Sequence, residues 1–196
     1  MSTGLYDRQK TLNLKTPTIT IVGCGGIGFW VGKFCAMSGI ENILLFDPDV
    51  IEEHNRNRLD VGENAVGTNK AEVLKSIIIH LRPEVTVYAL PFKYQEHLGK
   101  KTDWVVDCTD IADAQVQNKK IANSFGSKYV KAGYDGEHIS INNDLAEWGV
   151  APDGYTIVPS WVVPAVIVAS LTVAKIMKYE KEEISTTVYR LFSLKS

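Results

Sequence analysis

Cysteine is scarce in this chain, and its three copies, Cys24, Cys35 and Cys108, form no C-x-x-C pair. That excludes a disulfide-stapled scaffold and a four-cysteine zinc site, and makes a reducing cytoplasm the expected setting. Charge imbalance is missing too. Twenty-one basic side chains against 23 acidic ones leave a net charge of −2, so nothing in the composition draws the protein toward nucleic acid or an anionic membrane. No apolar run suits a membrane span; the nearest, 161–177, is short, contains Pro164 and Lys175, and is expected to be a buried helix. The opening Met1-Ser2-Thr3-Gly4 lacks the apolar stretch of a secretory leader. His54, His80, His97 and His138 show no metal-ligand spacing. No internal repeat, low-complexity tract or linker divides the sequence, so residues 1–196 are read as a single domain.

What the chain does have is concentrated in one stretch, Ile19-Thr20-Ile21-Val22-Gly23-Cys24-Gly25-Gly26-Ile27-Gly28. Four β-formers run straight into glycine, and an apolar helical rhythm resumes from Phe29. Gly23, Gly25, Gly26 and Gly28 would let a phosphate approach the backbone where no Cβ blocks it. The helix starting near Gly26 would aim its unpaired N–H groups and positive dipole end at that phosphate. Asp47 follows Gly28 by 19 residues, at the end of Ile43-Leu44-Leu45-Phe46, where an acid binding a ribose is expected. Strand, glycine turn, helix and acid together point to a nucleotide site.

The rest of the chain alternates. Strands are expected at 18–22, 42–46, 85–90, 104–106 and 128–132, with helices to about Ser38, from Asn69 to Leu81 and through about Ser124. Gly39 reads as the stop of the first helix. This alternation predicts an α/β fold with a mostly parallel sheet wound on both faces. Beyond Gly136 a strand-like run at 137–141, an irregular stretch at 142–159, the apolar helix and a last strand-like run at 186–191 are expected, forming a mixed C-terminal extension. The excursion 47–59, dense in charge and amide, is longer than a strand–helix connection needs unless it binds something.

These residues together resemble the ubiquitin-activating E1 superfamily, in the compact form of the bacterial ThiF- and MoeB-type sulfur-carrier adenylyltransferases. The resemblance covers most of 6–135 and implies a Rossmann-like sheet. Gly23-x-Gly25-Gly26-x-Gly28 is similar to the family's nucleotide loop and Asp47-x-Asp49 to its ribose-binding turn. Asn55-x-Asn57-Arg58 resembles N-x-N-R-Q, with Leu59 in place of the glutamine. Lys70 matches the catalytic lysine. Asp107-Cys108-Thr109-Asp110 resembles the magnesium motif, with Asp110 in the functional position, Ile111 where asparagine is usual, and no arginine a few residues on. Tyr6-Asp7-Arg8-Gln9 is similar to an N-terminal element whose arginine reaches the partner subunit's site.

The resemblance implies an enzyme that uses ATP and Mg²⁺, without zinc, to adenylate the C-terminal carboxylate of a small ubiquitin-like or sulfur-carrier protein ending in Gly-Gly. It also implies a homodimer, which the apolar run 161–177 supports. Adenylation asks for cations and a metal at one place while charge builds on the phosphates. Arg58 and Lys70, with Arg8 from a second subunit, would be the cations, and Asp110 the Mg²⁺ ligand. Residues 133–196 contain no cysteine, so no transfer cysteine is expected there. By themselves the residues leave two other functions open: an NAD-dependent oxidoreductase on the same glycine loop, and a non-catalytic nucleotide-binding subunit. Single positions keep plainer readings as well, Asp110 as a helix N-cap and Asn55 and Asn57 as turn formers.

Overall fold

In the computed structural model, residues 4–143 and 159–193 are described. The sheet grows outward from β1 (Ile19–Val22), buried along its whole length. β1 pairs in parallel with β2 (Asn42–Phe46) on one side and β4 (Trp104–Asp107) on the other, and β3 (Thr86–Leu90) and β5 (Lys128–Asp135) extend the parallel set. β6 (His138–Asn142) and β7 (Ile184–Thr187) then add antiparallel edges, giving seven strands in the order β3-β2-β1-β4-β5-β6-β7. The order reverses between β1 and β4, the place where open parallel sheets open a crevice at their C-terminal edge.

Because successive strand residues point to opposite faces, the strands feed two cores. Ile19, Ile21, Ile43, Leu45, Val106 and Val130 pack against α1 (Gly26–Met37), α2 (Lys70–Leu81) and α4 (Val162–Met177). Val22, Leu44, Phe46, Val105 and Tyr129 face the other way, against Ala122 and Ile121 of α3 (Ala112–Ser124) and against Tyr94. The expected α/β architecture with helices on both faces is thus present. Of the apolar run 161–177, α4 buries Ala165, Val168, Ala169, Val173 and Ile176, while Trp161, Val162 and Val163 at its start stay exposed. No helix of the described residues is long and apolar enough to cross a membrane.

Three element boundaries differ from the sequence reading. The run expected as a strand at 186–191 splits: β7 ends at Thr187, whose hydroxyl accepts the Arg190 N–H and starts α5 (Val188–Phe192). A capping threonine diverts the chain there. β5 continues to Asp135, beyond 132, because it folds back on β6 through Gly136 at φ +55°. Helix α2 begins at Lys70, with Asn69 capping it through the Ala71 and Glu72 N–H groups. Most of the irregular stretch expected at 142–159 lies outside the described residues. Ahead of β1 the chain holds a 3₁₀ turn over Asp7–Leu12.

At the edge remote from the glycine loop, Glu180 ties three parts of the fold. Its carboxylate pairs with Lys15 (2.9 Å) of the N-terminal segment and with Lys128 at the start of β5. These lysines hold the Glu180 carboxyl down at about 2, below the ordinary 4.5. A carboxyl depressed by folding stabilises the protein above its unfolded value and loses that contribution as pH falls from about 4.5 toward 2. Glu180→Gln is therefore expected to lower stability at pH 7 by at most about 1 kcal/mol, the ceiling for a solvent-screened pair. In urea titrations at several pH values, its deficit against the wild type should shrink below pH 4.5.

Candidate nucleotide site at the switch point

β1 delivers the chain into the glycine turn. Gly23 adopts φ +87°, and a Cβ there would lie 3.2 Å from the Cys108 carbonyl carbon and oxygen, so only glycine lets the turns after β1 and β4 touch. At Gly28 a Cβ would fall 1.8 Å from the Gly23 carbonyl oxygen; the absent side chain is what lets α1 start against its own strand. Nothing lies within 4 Å of the Cβ position at Gly25. No side chain caps α1, and its first turn carries no acid. The N–H groups of this uncapped helix start are left without a side-chain acceptor.

The excursion after β2 is a folded unit rather than a slack loop. Its ends are clipped together by Ile51 N–H to Thr68 (2.8 Å), Gly67 N–H to Ile51 (2.8 Å) and Lys70 N–H to Asp49 (2.9 Å). Asp47 is buried, and its two oxygens accept the Cys24 N–H (2.6 Å) and the Asp49 N–H (2.8 Å). Burial pushes its carboxyl pKa up, against the pull of those two N–H groups. Asp49 stays exposed and pairs with Lys70 Nζ at 3.1 Å. Asn69 positions both: its amide donates to the Asp47 and Asp49 carbonyls (2.8 and 3.0 Å) while its oxygen caps α2.

Further along, Glu52 and Asn55 cap a 3₁₀ turn over Glu53–Asn57 reciprocally, so Asn55 is the turn former of the plainer reading. Arg58 follows that turn and lies over the start of α1, its Cδ 3.1 Å from the Cβ position at Gly26. Its guanidinium donates to the His54 carbonyl (3.1 Å) and to the Asn57 side chain (2.9 Å), its carbonyl accepts the Trp30 indole N–H (2.9 Å), and Asn57 donates to the Ser160 carbonyl (2.9 Å). Tyr134, bonded to the Ser160 hydroxyl, brings its own hydroxyl 2.9 Å from that same Gly26 position.

The turn after β4 is held from below. Asp107, fully buried, accepts the Thr109 N–H and hydroxyl (2.9 and 2.6 Å), the Asn118 amide (2.9 Å) and the Tyr129 hydroxyl (2.9 Å), and Gln115 donates to the Thr109 carbonyl (3.0 Å). Asp110 projects from this turn, exposed, with no hydrogen bond or ion pair among the described residues. It is not the helix cap: Ile111 occupies that position and makes no side-chain cap. Lys131, in register with Asp107 on the neighbouring strand, is 2% exposed; burial lowers its ammonium pKa, and Asp107, Cys108 and Asp110 oppose the shift.

The structure therefore gathers Gly23, Gly25, Gly26, Gly28, Asp47, Asp49, Asn55, Asn57, Arg58, Lys70 and Asp110 along the C-terminal edge of β1, β2 and β4. Residues 2–145 match the model of the ThiF family. The chain belongs to the ThiF family. It is 26% identical over 152 residues to ubiquitin-like modifier-activating enzyme 5 of Caenorhabditis elegans, across 70% of this chain and 36% of that one. It is 34% identical over 103 residues to the tRNA threonylcarbamoyladenosine dehydratase of Bacillus subtilis, across 50% of this chain and 41% of that one. The chain thus spans less than half the length of these curated relatives. In fold it is similar to E. coli MccB solved with ATP, at a TM-score of 0.76 and 21% identity over 95% of this chain and 71% of that one. It is similar also to PaaA, at 0.68 and 23% over 90% and 65%.

Set against the ThiF family motifs, the departures have physical causes. Leu59, standing where glutamine is usual, is buried in the main core at 5% exposure and anchors the excursion by packing. Ile111 is 60% exposed and touches no site group through a polar atom. Arg8 is not brought to the cluster. Its 3₁₀ turn is fastened by Gln9 to the Ser38 carbonyl (2.8 Å) and by Tyr6 to the Ala36 carbonyl (3.3 Å), at the C-terminal end of α1. The glycine loop sits at the other end of that 12-residue helix, about 18 Å away.

The Cys108 thiol pKa is pushed up to about 12, by burial first and by Asp107 as well, against the pull of Lys131. Cys24 and Cys35 are buried and their thiols are also raised, by burial above all. Sequence reasoning passed over Asn69, Trp30, Tyr134 and Lys131. Only Asn69 left a local signal, an N-cap type just ahead of an apolar helical period.

Gly28→Ala tests the helix–strand contact. With the new methyl 1.8 Å from the Gly23 oxygen, the helix start must shift, and a loss of about 1–3 kcal/mol or more is expected in thermal or urea unfolding. Gly25→Ala, which meets nothing within 4 Å, should unfold within about 1 kcal/mol of the wild type.

Proposed function

We propose that this chain adenylates a carboxylate: it binds ATP, and a carboxylate oxygen of the second substrate attacks the α-phosphorus. The bond from that phosphorus to the bridging oxygen breaks, and pyrophosphate leaves with the electron pair. The observation that carries this reading is the convergence of Arg58, Lys70, the open start of α1 and Asp110 on one edge. A hydride-transfer enzyme would leave all three side chains without a task. In the adenylating reading the Gly25–Gly26 backbone receives phosphate oxygens and Asp49 lies at the ribose end beside Lys70. The two cations hold charge that grows as pyrophosphate departs.

Among the described residues no group of three His, Cys, Asp or Glu side chains could hold a metal by itself. One exposed carboxylate, Asp110, fits the way Mg²⁺ is usually held, by one or two carboxylates together with substrate phosphates. When bound there, Mg²⁺ neutralises phosphate charge.

The substrate we infer is the C-terminal carboxylate of a small ubiquitin-like or sulfur-carrier protein ending in Gly-Gly. The modifier-activating relatives and the bound peptide MccA in one MccB structure support a polypeptide acid. The net charge of −2 argues against a tRNA substrate such as the dehydratase relatives are named for. The cytoplasm is the setting we assign. We assign a two-fold homodimer, because Trp161, Val162 and Val163 expose apolar surface at the start of α4; in it Arg8, far from its own site, would reach the partner's.

Lys70→Ala should fold normally, because its pair with exposed Asp49 is solvent-screened. It should lose pyrophosphate exchange by about a hundredfold or more, as loss of one preorganised donor does. ATP with Mg²⁺, not NAD⁺, should raise the melting temperature of the wild type. Stabilisation by NAD⁺ alone would point to the oxidoreductase reading, and ATP binding without exchange to a non-catalytic subunit.

With its thiols held protonated, the chain is expected to stop at the acyl-adenylate and hand it to a separate acceptor. The triple variant Cys24→Ala, Cys35→Ala, Cys108→Ser should keep carrier-dependent pyrophosphate exchange. A reductant-sensitive adduct between chain and carrier on a non-reducing gel, lost on changing one cysteine, would contradict it.

A further inference from the structure

Among the described residues, the buried cation near this edge that the reading above leaves without a task is Lys131. It is among the largest fully buried side chains of the protein, at 2% exposure, yet no carboxylate lies within ion-pair distance of it among the described residues. Of its three N–H donors, one goes to the Ala132 carbonyl at 2.8 Å. That carbonyl lies further along β5, so the side chain reaches forward toward the strand's C-terminal end, the end at which the neighbouring β4 runs into the turn carrying Asp110. Its cross-strand neighbour Asp107 does not need it as a hydrogen-bond partner, because Thr109, Asn118 and Tyr129 already occupy that carboxylate. A buried ammonium with donors to spare is costly unless an anion completes it. The motif ending at Asp110 also lacks a basic residue in the helix start that follows it: Ile111, Ala112, Asp113 and Ala114 carry none.

We propose that Lys131 is a phosphate-binding residue of this site, supplying from β5 the positive charge that the turn after β4 does not carry. The proposal rests on the adenylating reading for which phosphate it meets, but not for its being an anion contact. Bound phosphate would then be held from two flanks, by Arg58 and Lys70 on the side of the excursion after β2 and by Lys131 on the side of β5. The other role open to Lys131 is purely structural, as a distant counter-charge to Asp107.

Calorimetry with MgATP on the wild type, Lys131→Met and Lys131→Arg separates the two. Lys131→Met should weaken binding about tenfold or more, as loss of a charged hydrogen bond does, and Lys131→Arg should recover most of it. Thermal unfolding without ligand records any structural effect independently. Should Lys131→Met fail to fold, the wild type labelled at lysine Cε gives the same answer by NMR. Its Lys131 resonance, assigned through its loss in Lys131→Arg, should move when MgATP is added. Wild-type affinity in a folded Lys131→Met, or an unmoved resonance at saturation, would overturn the proposal. If the wild type binds no ATP, the adenylating reading has failed, and inorganic triphosphate becomes the probe. The same loss and the same shift then sustain Lys131 as an anion contact, and their absence ends it.

Discussion

One carboxylate holds the site together. Asp47 sits at the end of β2 with both oxygens engaged, one by the backbone of the glycine turn and the other by the backbone of Asp49. Without it the turn after β1 and the excursion after β2 would be neighbours with no fixed relation. Burial works against its negative charge, and two backbone N–H groups together with the nearby Lys70 work for it. The residue that looked like a ribose ligand is thus first a structural clamp, and the exposed acid on the same turn is Asp49.

Around that clamp the cations are placed by groups with no chemistry of their own. The Trp30 indole fixes the Arg58 backbone, and the Asn69 amide fixes the carbonyls of Asp47 and Asp49 while its oxygen starts the helix that carries Lys70. Even the departure at position 59 fits this division of labour. Leu59, packed in the core, fastens the excursion by burial of its side chain.

Much of this was legible in the sequence wherever the signal is local. β-formers running into glycine mark β1 and its turn, and the spacing to Asp47 marks the end of β2. The alternation of strands and helices follows from side-chain periodicity, and it holds in the parallel part of the sheet except between β3 and β4, which no helix separates. The misses are tertiary. Nothing near Lys131 in the chain says that it will be buried beside Asp107, since that follows from the pairing of β4 with β5. Trp30 reads as one more apolar residue of an apolar helix until the excursion folds over it. At the C-terminus, Thr187 turned an apparent strand into a helix start, because a single hydroxyl outweighs a weak alternation over six residues. Arg8 is the reverse case. Its motif is readable, but its distance from the glycine loop depends on which end of α1 the arm docks against.

The position of β1 between β2 and β4 also governs how the site comes into being. Most of the candidate edge, from the glycine turn to Lys70, belongs to the first seventy residues, and the rest arrives with the turn around Cys108, which touches Gly23 only after the chain has closed a loop of more than eighty positions. Such a long-range pairing carries the entropic cost of loop closure and forms slowly. An isolated N-terminal fragment would therefore own the glycine motif and still lack the pocket. A ligand bridging the two turns would protect the centre of the sheet against hydrogen exchange to a degree set by its concentration relative to its Kd, wherever exchange requires β1 to part from β4.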